Sequence, residues 1–100
     1  KENVPSTKID TITLDEIISN NIKKVKIIKI EAEGAEPEIL YGLKKNLKKV
    51  EYITIDAGPE RGFLAETTLV PCVNYLLSNK FILIDFNIDR TSLLFKNLKI

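Results

Sequence analysis

Acidic residues are concentrated where a predicted strand gives way to a predicted helix. Segment 28–42 reads Ile-Lys-Ile-Glu-Ala-Glu-Gly-Ala-Glu-Pro-Glu-Ile-Leu-Tyr-Gly, so Glu31, Glu33 and Glu36 lie around Gly34. In an open α/β sheet, ligands collect in the crevice outside the carboxyl ends of the strands. A carboxylate in such a crevice can take the proton from a reacting hydroxyl group. The segment therefore predicts a reactive or ligand-binding site built from carboxylates.

The chemistry open to this chain is narrowed by the residue types that it lacks. Its 100 residues contain no histidine, the usual general base and the commonest zinc ligand, so catalysis must use carboxylates, lysine, tyrosine or the backbone. There is no methionine, and the chain starts at Lys1, so we expect a piece of a longer polypeptide. Its one cysteine, Cys72, falls on the apolar side of a predicted helix, which predicts a buried structural thiol.

Length and charge indicate one ordinary globular domain, residues 1–100. Hydrophobic residues make up 44% of the chain and charged residues 29%, which excludes a disordered protein. Fifteen basic and fourteen acidic residues leave a formal charge of +1, so the overall charge predicts neither a nucleic acid nor a membrane partner. No apolar run approaches the roughly 18 to 20 residues that span a bilayer. We expect a cytoplasmic protein whose partner is a small molecule or another protein.

Strands and helices are predicted to alternate along the chain. Thr13 and Glu16 form a capping box at a helix start, and Pro37 suits the first turn of the next helix. Near-continuous valine and isoleucine in residues 25–30 indicate a strand that is covered on both faces. Strands are predicted at residues 8–12, 25–30, 52–56, 81–86 and 92–96, and helices at residues 14 to about 20, 37 to about 49 and 68–78.

This order predicts an α/β fold with a mixed sheet. We expect strands 25–30, 52–56 and 81–86 to be parallel neighbours or near-neighbours, with strand 92–96 inserted antiparallel between the last two. Helices 37–49 and 68–78 should cover the sheet. The lysines near the end of helix 37–49 are interpreted as a solvated helix end rather than as a phosphate site.

A second polar cluster follows strand 52–56. Asp56 ends this strand, and the Gly/Pro-rich turn after it carries Glu60 and Arg61. These three side chains are predicted to project from the same sheet edge as Glu31 and to bind a substrate. Carboxylates of Glu31, Asp56 and Glu60 could alternatively hold a divalent cation, but the spacing is weak evidence and we predict no metal. The two glycines of the turn do not resemble a nucleotide-binding loop.

Three stretches resemble one known family. The pattern Lys-Ile-(Asp/Glu)-x-Glu-Gly-x-Glu, present from Lys29 to Glu36 and followed by a hydrophobic helix, resembles the hallmark of FkbM-type S-adenosylmethionine-dependent methyltransferases. Residues 13–15, Thr-Leu-Asp, are similar to a second element of this family, and strand 52–56 to a strand that usually ends in an acidic residue. The resemblance covers roughly residues 10–97, and Glu31 stands where the family more often has aspartate.

The resemblance implies a three-layer, Rossmann-like methyltransferase fold, of which this chain would be the C-terminal half. It also implies S-adenosylmethionine as the cofactor and O-methyl transfer to a hydroxyl of a sugar or natural product. The family's glycine-rich loop and the acidic residue after its second strand belong to the other half, so the cofactor-binding residues are unknown here. We therefore expect the chain by itself to be inactive and to bind the cofactor poorly.

Roles for the acidic residues follow from the resemblance. Glu31 would be the general base, and Glu33 would orient the acceptor or favour the positive sulfonium. Glu36 would support acceptor binding together with Asp56, Glu60 and Arg61. Alternatively, Glu33 and Glu36 merely place negative charge at a helix N-terminus. The competing function is a non-catalytic assembly or binding module that pairs through the open edge of strand 25–30, and we expect a homodimer.

Overall fold

Strands and helices alternate in the computed structural model, which describes residues 8–58 and 67–100. None of the helices found in these two ranges has the length and apolar character needed to cross a membrane. The helices are α1 (Leu14–Ile17), α2 (Glu36–Tyr41) and α3 (Leu69–Ser78), with a 3-10 turn at Leu47–Lys49; the strands are β1 (Val25–Ile30), β2 (Val50–Asp56), β3 (Phe81–Asn87) and β4 (Ser92–Asn97).

The strands form one mixed sheet in the order β1-β2-β4-β3. β1 pairs parallel with β2, whereas β4 is antiparallel to both of its neighbours. β3 therefore runs in the same direction as β1 and β2, and β4 lies between β2 and β3. The predicted α/β class, the mixed sheet and the position of the antiparallel strand are confirmed.

One face of the sheet forms the hydrophobic core. Ile53 and Phe95, which are partners across β2 and β4, are fully buried, and Leu40 of α2 and Leu76 of α3 are buried with them. Cys72 of α3 is also buried in this core, as predicted. Helices α2 and α3 contact each other and so form a single layer over the sheet.

The opposite face of the sheet is open within the described residues. Ile27 of β1 and Ile82 of β3 lie in one row across this face, because Ile27 pairs with Tyr52, Tyr52 with Lys96 and Lys96 with Ile82. Ile27 is 52% exposed and Ile82 is 38% exposed. The expectation that strand 25–30 is covered on both faces is therefore not met in this part of the chain.

Near the start of the chain, one predicted strand is wrong and one predicted helix is too long. Residues 8–12 form no strand, because they make no ladder with any described strand, and Ile9 and Ile12 are exposed. The capping box of Thr13 and Glu16 is confirmed, but α1 ends at Ile17 instead of about residue 20. The chain turns extended at Ile18, whose side chain is buried in the core and whose carbonyl accepts a hydrogen bond from Asn46 Nδ2 at 2.9 Å.

The helix predicted to reach about residue 49 ends much earlier, at Tyr41. Gly42 follows and lies so close to α1 that a Cβ there would come within 3.1 Å of Thr13 Cβ. The amide of Leu43 still donates to the carbonyl of Leu40, but those of Lys44 and Lys45 donate to the Asp15 carboxylate at 2.9 and 2.8 Å. A contact across about thirty residues thus replaces the helical hydrogen bonds that the local pattern predicted.

Candidate active site

The Glu36 side chain lies beneath the turn of residues 31–35 that follows β1, which we call the acidic turn, and holds it by hydrogen bonds. This side chain is only 1% exposed, and its carboxylate accepts the amide of Ala32 at 2.7 Å and that of Gly34 at 3.1 Å. Gly34 has a φ of 110° and Glu33 a φ of 46°, both in the left-handed region that costs energy for a residue with a side chain. The buried carboxylate therefore stabilises a turn that Glu33 would not adopt readily by itself.

Glu31 lies next to Asp56 at the carboxyl edge of the sheet. Ile30 pairs with Ile55 in the parallel β1-β2 ladder, so the residues that follow them are neighbours. The Glu31 side chain lies close enough to Asp56 to lower the pKa of the Asp56 carboxyl group. Asp56 also accepts a hydrogen bond from Ser92 Oγ of β4 at 2.5 Å. Polar side chains from β2, from β4 and from the residue that follows β1 thus lie together at this edge of the sheet.

The surroundings of Asp56 favour its ionised form. The hydrogen bond from Ser92 is the largest influence and lowers the pKa of Asp56, and burial opposes it. The contact with Glu31 and the positive charges of Lys29 and Arg90 lower this pKa further. Asp56 is therefore a carboxylate at neutral pH, able to accept hydrogen bonds or to face a cation.

The predicted site residues are thus in three different situations. Glu31 and Glu33 are exposed and lie on the turn, with Asp56 beside Glu31. Glu36 lies beneath the turn with its carboxylate on backbone amides, and direct contact with a substrate stays a prediction for this residue. Glu60 and Arg61 lie outside the described residues. Ser92 was not anticipated, because only the β2-β4 pairing places it opposite Asp56.

No group of three possible metal-ligating side chains is found within residues 8–58 and 67–100. Of the alternative cation ligands, Glu31 and Asp56 are close together, and Glu60 lies outside those ranges.

The Thr-Leu-Asp element has a structural role that its sequence does not reveal. Burial by itself would raise the pKa of Asp15, but the amides of Asn46, Lys45 and Lys44 donate to its carboxylate and hold this pKa below its ordinary value. Asn46 is fully buried and donates in return to the backbone carbonyl of Asp15 at 3.1 Å. α1 is thereby attached to the segment that connects α2 to β2.

An open, mainly apolar cavity adjoins the acidic turn. It has a volume of about 540 Å³ and lies between the segment that precedes α1 and the first half of α2. This volume is typical of small-molecule sites, which measure roughly 300–1,000 Å³. Its walls include Ile12, Leu14, Ala35 and Ile39. Ala35 follows Gly34 directly, so a ligand in the cavity would lie beside the acidic turn.

Comparison with known proteins identifies the family. A family model described as the Methyltransferase FkbM domain matches residues 1–88. Searches of curated proteins and of solved structures found no match. The matched residues include the Thr-Leu-Asp element, the acidic turn and the first three strands of the sheet. The chain therefore belongs to the FkbM methyltransferase domain family.

Proposed function

We propose that the chain contributes the acceptor side of an S-adenosylmethionine-dependent O-methyltransferase that acts on a hydroxyl of a sugar or natural product. The observation that carries this proposal is the neighbouring position of Glu31 and Asp56 at the carboxyl ends of two paired parallel strands, in a chain of the FkbM family. Reactive groups collect at this edge in open α/β sheets. An exposed carboxylate beside an ionised one can both bind a hydroxyl group and receive its proton.

Each acidic residue has a distinct role in this proposal. When bound, S-adenosylmethionine supplies a methyl group on a positively charged sulfur. Glu31 would accept the proton of the acceptor hydroxyl while that oxygen takes the methyl group and the methyl–sulfur bond breaks, the electron pair staying on sulfur. Glu33, exposed on the turn, favours the positive charge, and Asp56 hydrogen-bonds to the acceptor with Glu60 and Arg61 as further contacts. Glu36 supports acceptor binding from beneath the turn.

The described residues include groups suited to the positive sulfur of the cofactor rather than to its adenosine portion. Glu31, Glu33 and ionised Asp56 present negative groups to a sulfonium. We assign no residue of this chain to the adenosine portion, and we propose that a further half-domain with its own strand next to β1 supplies those contacts. The edge position of β1 and the 52% exposure of Ile27 support a neighbour on that side.

The alternative is a non-catalytic assembly module. β1 is an edge strand of the described sheet and presents unpaired backbone groups, which favour pairing with another chain. In this alternative the chain forms a homodimer through β1 and has no activity. A homodimer is also compatible with the enzyme, so oligomeric state does not separate the two. In either case we propose a cytoplasmic location.

Cofactor binding and methyl transfer test the proposal together. S-adenosylmethionine is titrated calorimetrically into the 100-residue chain and into a polypeptide that also carries the upstream half-domain. We expect binding by the longer polypeptide and little by the chain itself. The longer polypeptide is then incubated with hydroxylated acceptors, and transfer of a labelled methyl group is measured. Micromolar binding by the chain would show that the cofactor site is misplaced. Binding by the longer polypeptide without any transfer would favour the module.

A further inference from the structure

The two ends of the sheet carry opposite charges, although the net charge of the chain is only +1. Acidic residues of the turn and Asp56 lie at the carboxyl edge of β1 and β2. Lysines lie at the other edge, which we call the basic end. It is defined by the lysines that directly precede β1, β2 and β3 and by one that follows β4: Lys23, Lys24, Lys48, Lys49, Lys80 and Lys99.

Backbone pairing brings these lysines together from four separate parts of the chain. Val25 pairs with Val50, so the residues before β1 and β2 are neighbours. Asn97 Nδ2 donates to the carbonyl of Val50 at 2.9 Å, and the amide of Leu98 donates to the carbonyl of Lys80 at 2.9 Å. The nearby acidic residue Glu51 is already paired with Lys26 at 3.1 Å and Lys96 at 3.9 Å. Within the described residues, none of the six lysines of the basic end forms an ion pair.

Aliphatic side chains are exposed among these lysines. Leu98 is 59% exposed and Ile22 is 39% exposed, and each is adjacent in sequence to a lysine of the basic end. A polar cavity of about 190 Å³ is also present there, with Lys48, Lys99 and Asn79 in its walls. Ammonium groups around a polar recess, flanked by exposed aliphatic groups, match a surface that offers phosphate headgroups above a hydrocarbon layer.

The same end of the sheet is poorly suited to nucleic acid. Sequence-tolerant binding of single strands uses exposed aromatic rings for base stacking. Tyr52 is instead covered by the ammonium groups of Lys26 and Lys96, each 5.4 Å from the ring centre, and Phe81 is 2% exposed. All six cations are lysines, whereas arginine is the residue that reads guanine bases in bidentate fashion.

We propose that the basic end is a docking surface for an anionic phospholipid bilayer. The lysines contact the headgroups, and Leu98 and Ile22 enter the interfacial layer. Strands of this length separate the basic end from Glu31 and Asp56 by about 20 Å. The acidic turn then faces away from the membrane and stays open to a water-soluble acceptor. This inference does not depend on the proposed methyl transfer, because it concerns the opposite edge of the sheet.

Vesicle co-sedimentation of the 100-residue chain tests the proposal. Vesicles of phosphatidylserine and phosphatidylcholine are compared with vesicles of phosphatidylcholine alone, at low salt and at about 1 M salt, where the Debye length is about 3 Å. We expect binding to the anionic vesicles only, and loss of binding at high salt. Each lysine near an anionic surface contributes about 5-fold in affinity, so Lys48→Glu with Lys99→Glu should weaken binding by at least about 25-fold.

A matched control separates position from total charge. Lys29→Glu with Arg90→Glu changes the net charge equally at the opposite edge and should change vesicle affinity by less than the basic-end pair. Leu98→Ala should weaken binding without changing its salt dependence, and circular dichroism verifies folding of every variant. Three results would overturn the proposal: no binding of the wild-type chain to anionic vesicles, equal loss in the two double variants, or tighter binding to single-stranded RNA than to the vesicles.

Discussion

Asp15 and Asn46 hold each other by two reciprocal hydrogen bonds. Asp15 Oδ1 accepts the backbone amide of Asn46 at 2.9 Å, and Asn46 Nδ2 donates to the backbone carbonyl of Asp15 at 3.1 Å. Thirty-one positions separate the two residues, so the pair connects α1 to the segment before β2. Asp15 thus fixes the segment that follows α2. Because α2 begins at the acidic turn, this aspartate supports the position of a site that it does not contact.

Removing the Asp15 carboxylate should destabilise the fold. Asp15→Ala leaves the amides of Lys44, Lys45 and Asn46 without their acceptor, and a hydrogen bond to a charged group contributes about 1.5–3 kcal/mol. Because the side chain is only partly buried, we expect a loss of about 2 kcal/mol in the free energy of unfolding, measured by urea denaturation. Asp10→Ala, at an exposed position, is the control and should change it by less than about 0.5 kcal/mol. Equal effects would contradict the anchoring role.

Stability should fall in acid partly because of the same residue. Folding lowers the pKa of Asp15, so the unfolded chain binds more protons than the folded chain in the acidic range. The stabilisation is complete above the ordinary carboxyl pKa of about 4 and is lost as the pH falls through the lower folded value. Asp56 contributes with the same sign. Urea midpoints measured between neutral pH and about pH 3 should show a smaller decrease for Asp15→Asn than for the wild type. Parallel curves would exclude Asp15 as the source.

The acidic turn should open when Glu36 loses its acceptor oxygens. Glu36→Ala removes the carboxylate that accepts from the part-buried amide of Ala32 and the buried amide of Gly34, at a cost of about 1–3 kcal/mol. Glu36→Gln keeps one oxygen acceptor but turns its amide nitrogen toward the other backbone N–H, so it should cost less than the alanine variant. Hydrogen exchange at the Ala32 and Gly34 amides should accelerate strongly in the alanine variant and weakly in the glutamine variant. Glu33→Gln, exposed on the same turn, is the control. Unchanged exchange in Glu36→Ala would refute the closing role of this carboxylate.

Rates of methyl transfer by the complete enzyme should distinguish the role of Glu31 from that of Glu33. If Glu31 is the base, Glu31→Gln lowers the rate of methyl transfer by about 10²- to 10⁴-fold, with little change in cofactor affinity. Single-turnover rates and cofactor titrations measure the two effects separately. A rate lost in Glu33→Gln and kept in Glu31→Gln would move the base to Glu33. Full activity in both variants would leave the acidic turn with a structural role alone.

Self-association should depend on the open side of β1. Ile27→Lys places a charge on an edge strand and on the exposed sheet face, where a charge disfavours pairing with another chain. If the chain dimerises through β1, sedimentation at micromolar concentration should show a dimer for the wild type and a monomer for this variant. Ile9→Lys, at a position that is 79% exposed outside the sheet, should remain dimeric. A monomeric wild type would contradict the proposed homodimer.

Local patterns were sufficient for the four strands of the sheet and for the helix starts, but not for residues 8–12, which form no strand. Residues 25–30 form β1 as predicted, and Thr13 caps α1 through the predicted contact with Glu16. Such features depend on neighbours within a few positions, namely the burial period of a strand and the hydrogen bonds of a first turn. The order of the strands in the sheet was also predictable, because the chain resembles a family whose fold is known.

Partners distant in the chain determined the rest. α2 ends at Tyr41 because Asp15 binds the amides that would continue the helix, and α1 stops because Ile18 is buried and Asn46 binds its carbonyl. Glu31 lies beside Asp56, and the lysines of the basic end lie at one edge of the sheet, because strand pairing aligns segments that are tens of residues apart in the chain. The amino-acid sequence determines which groups can donate hydrogen bonds, accept them or carry charge. The folded chain selects among these partners, since each amide or carboxylate binds the group that packing brings within reach.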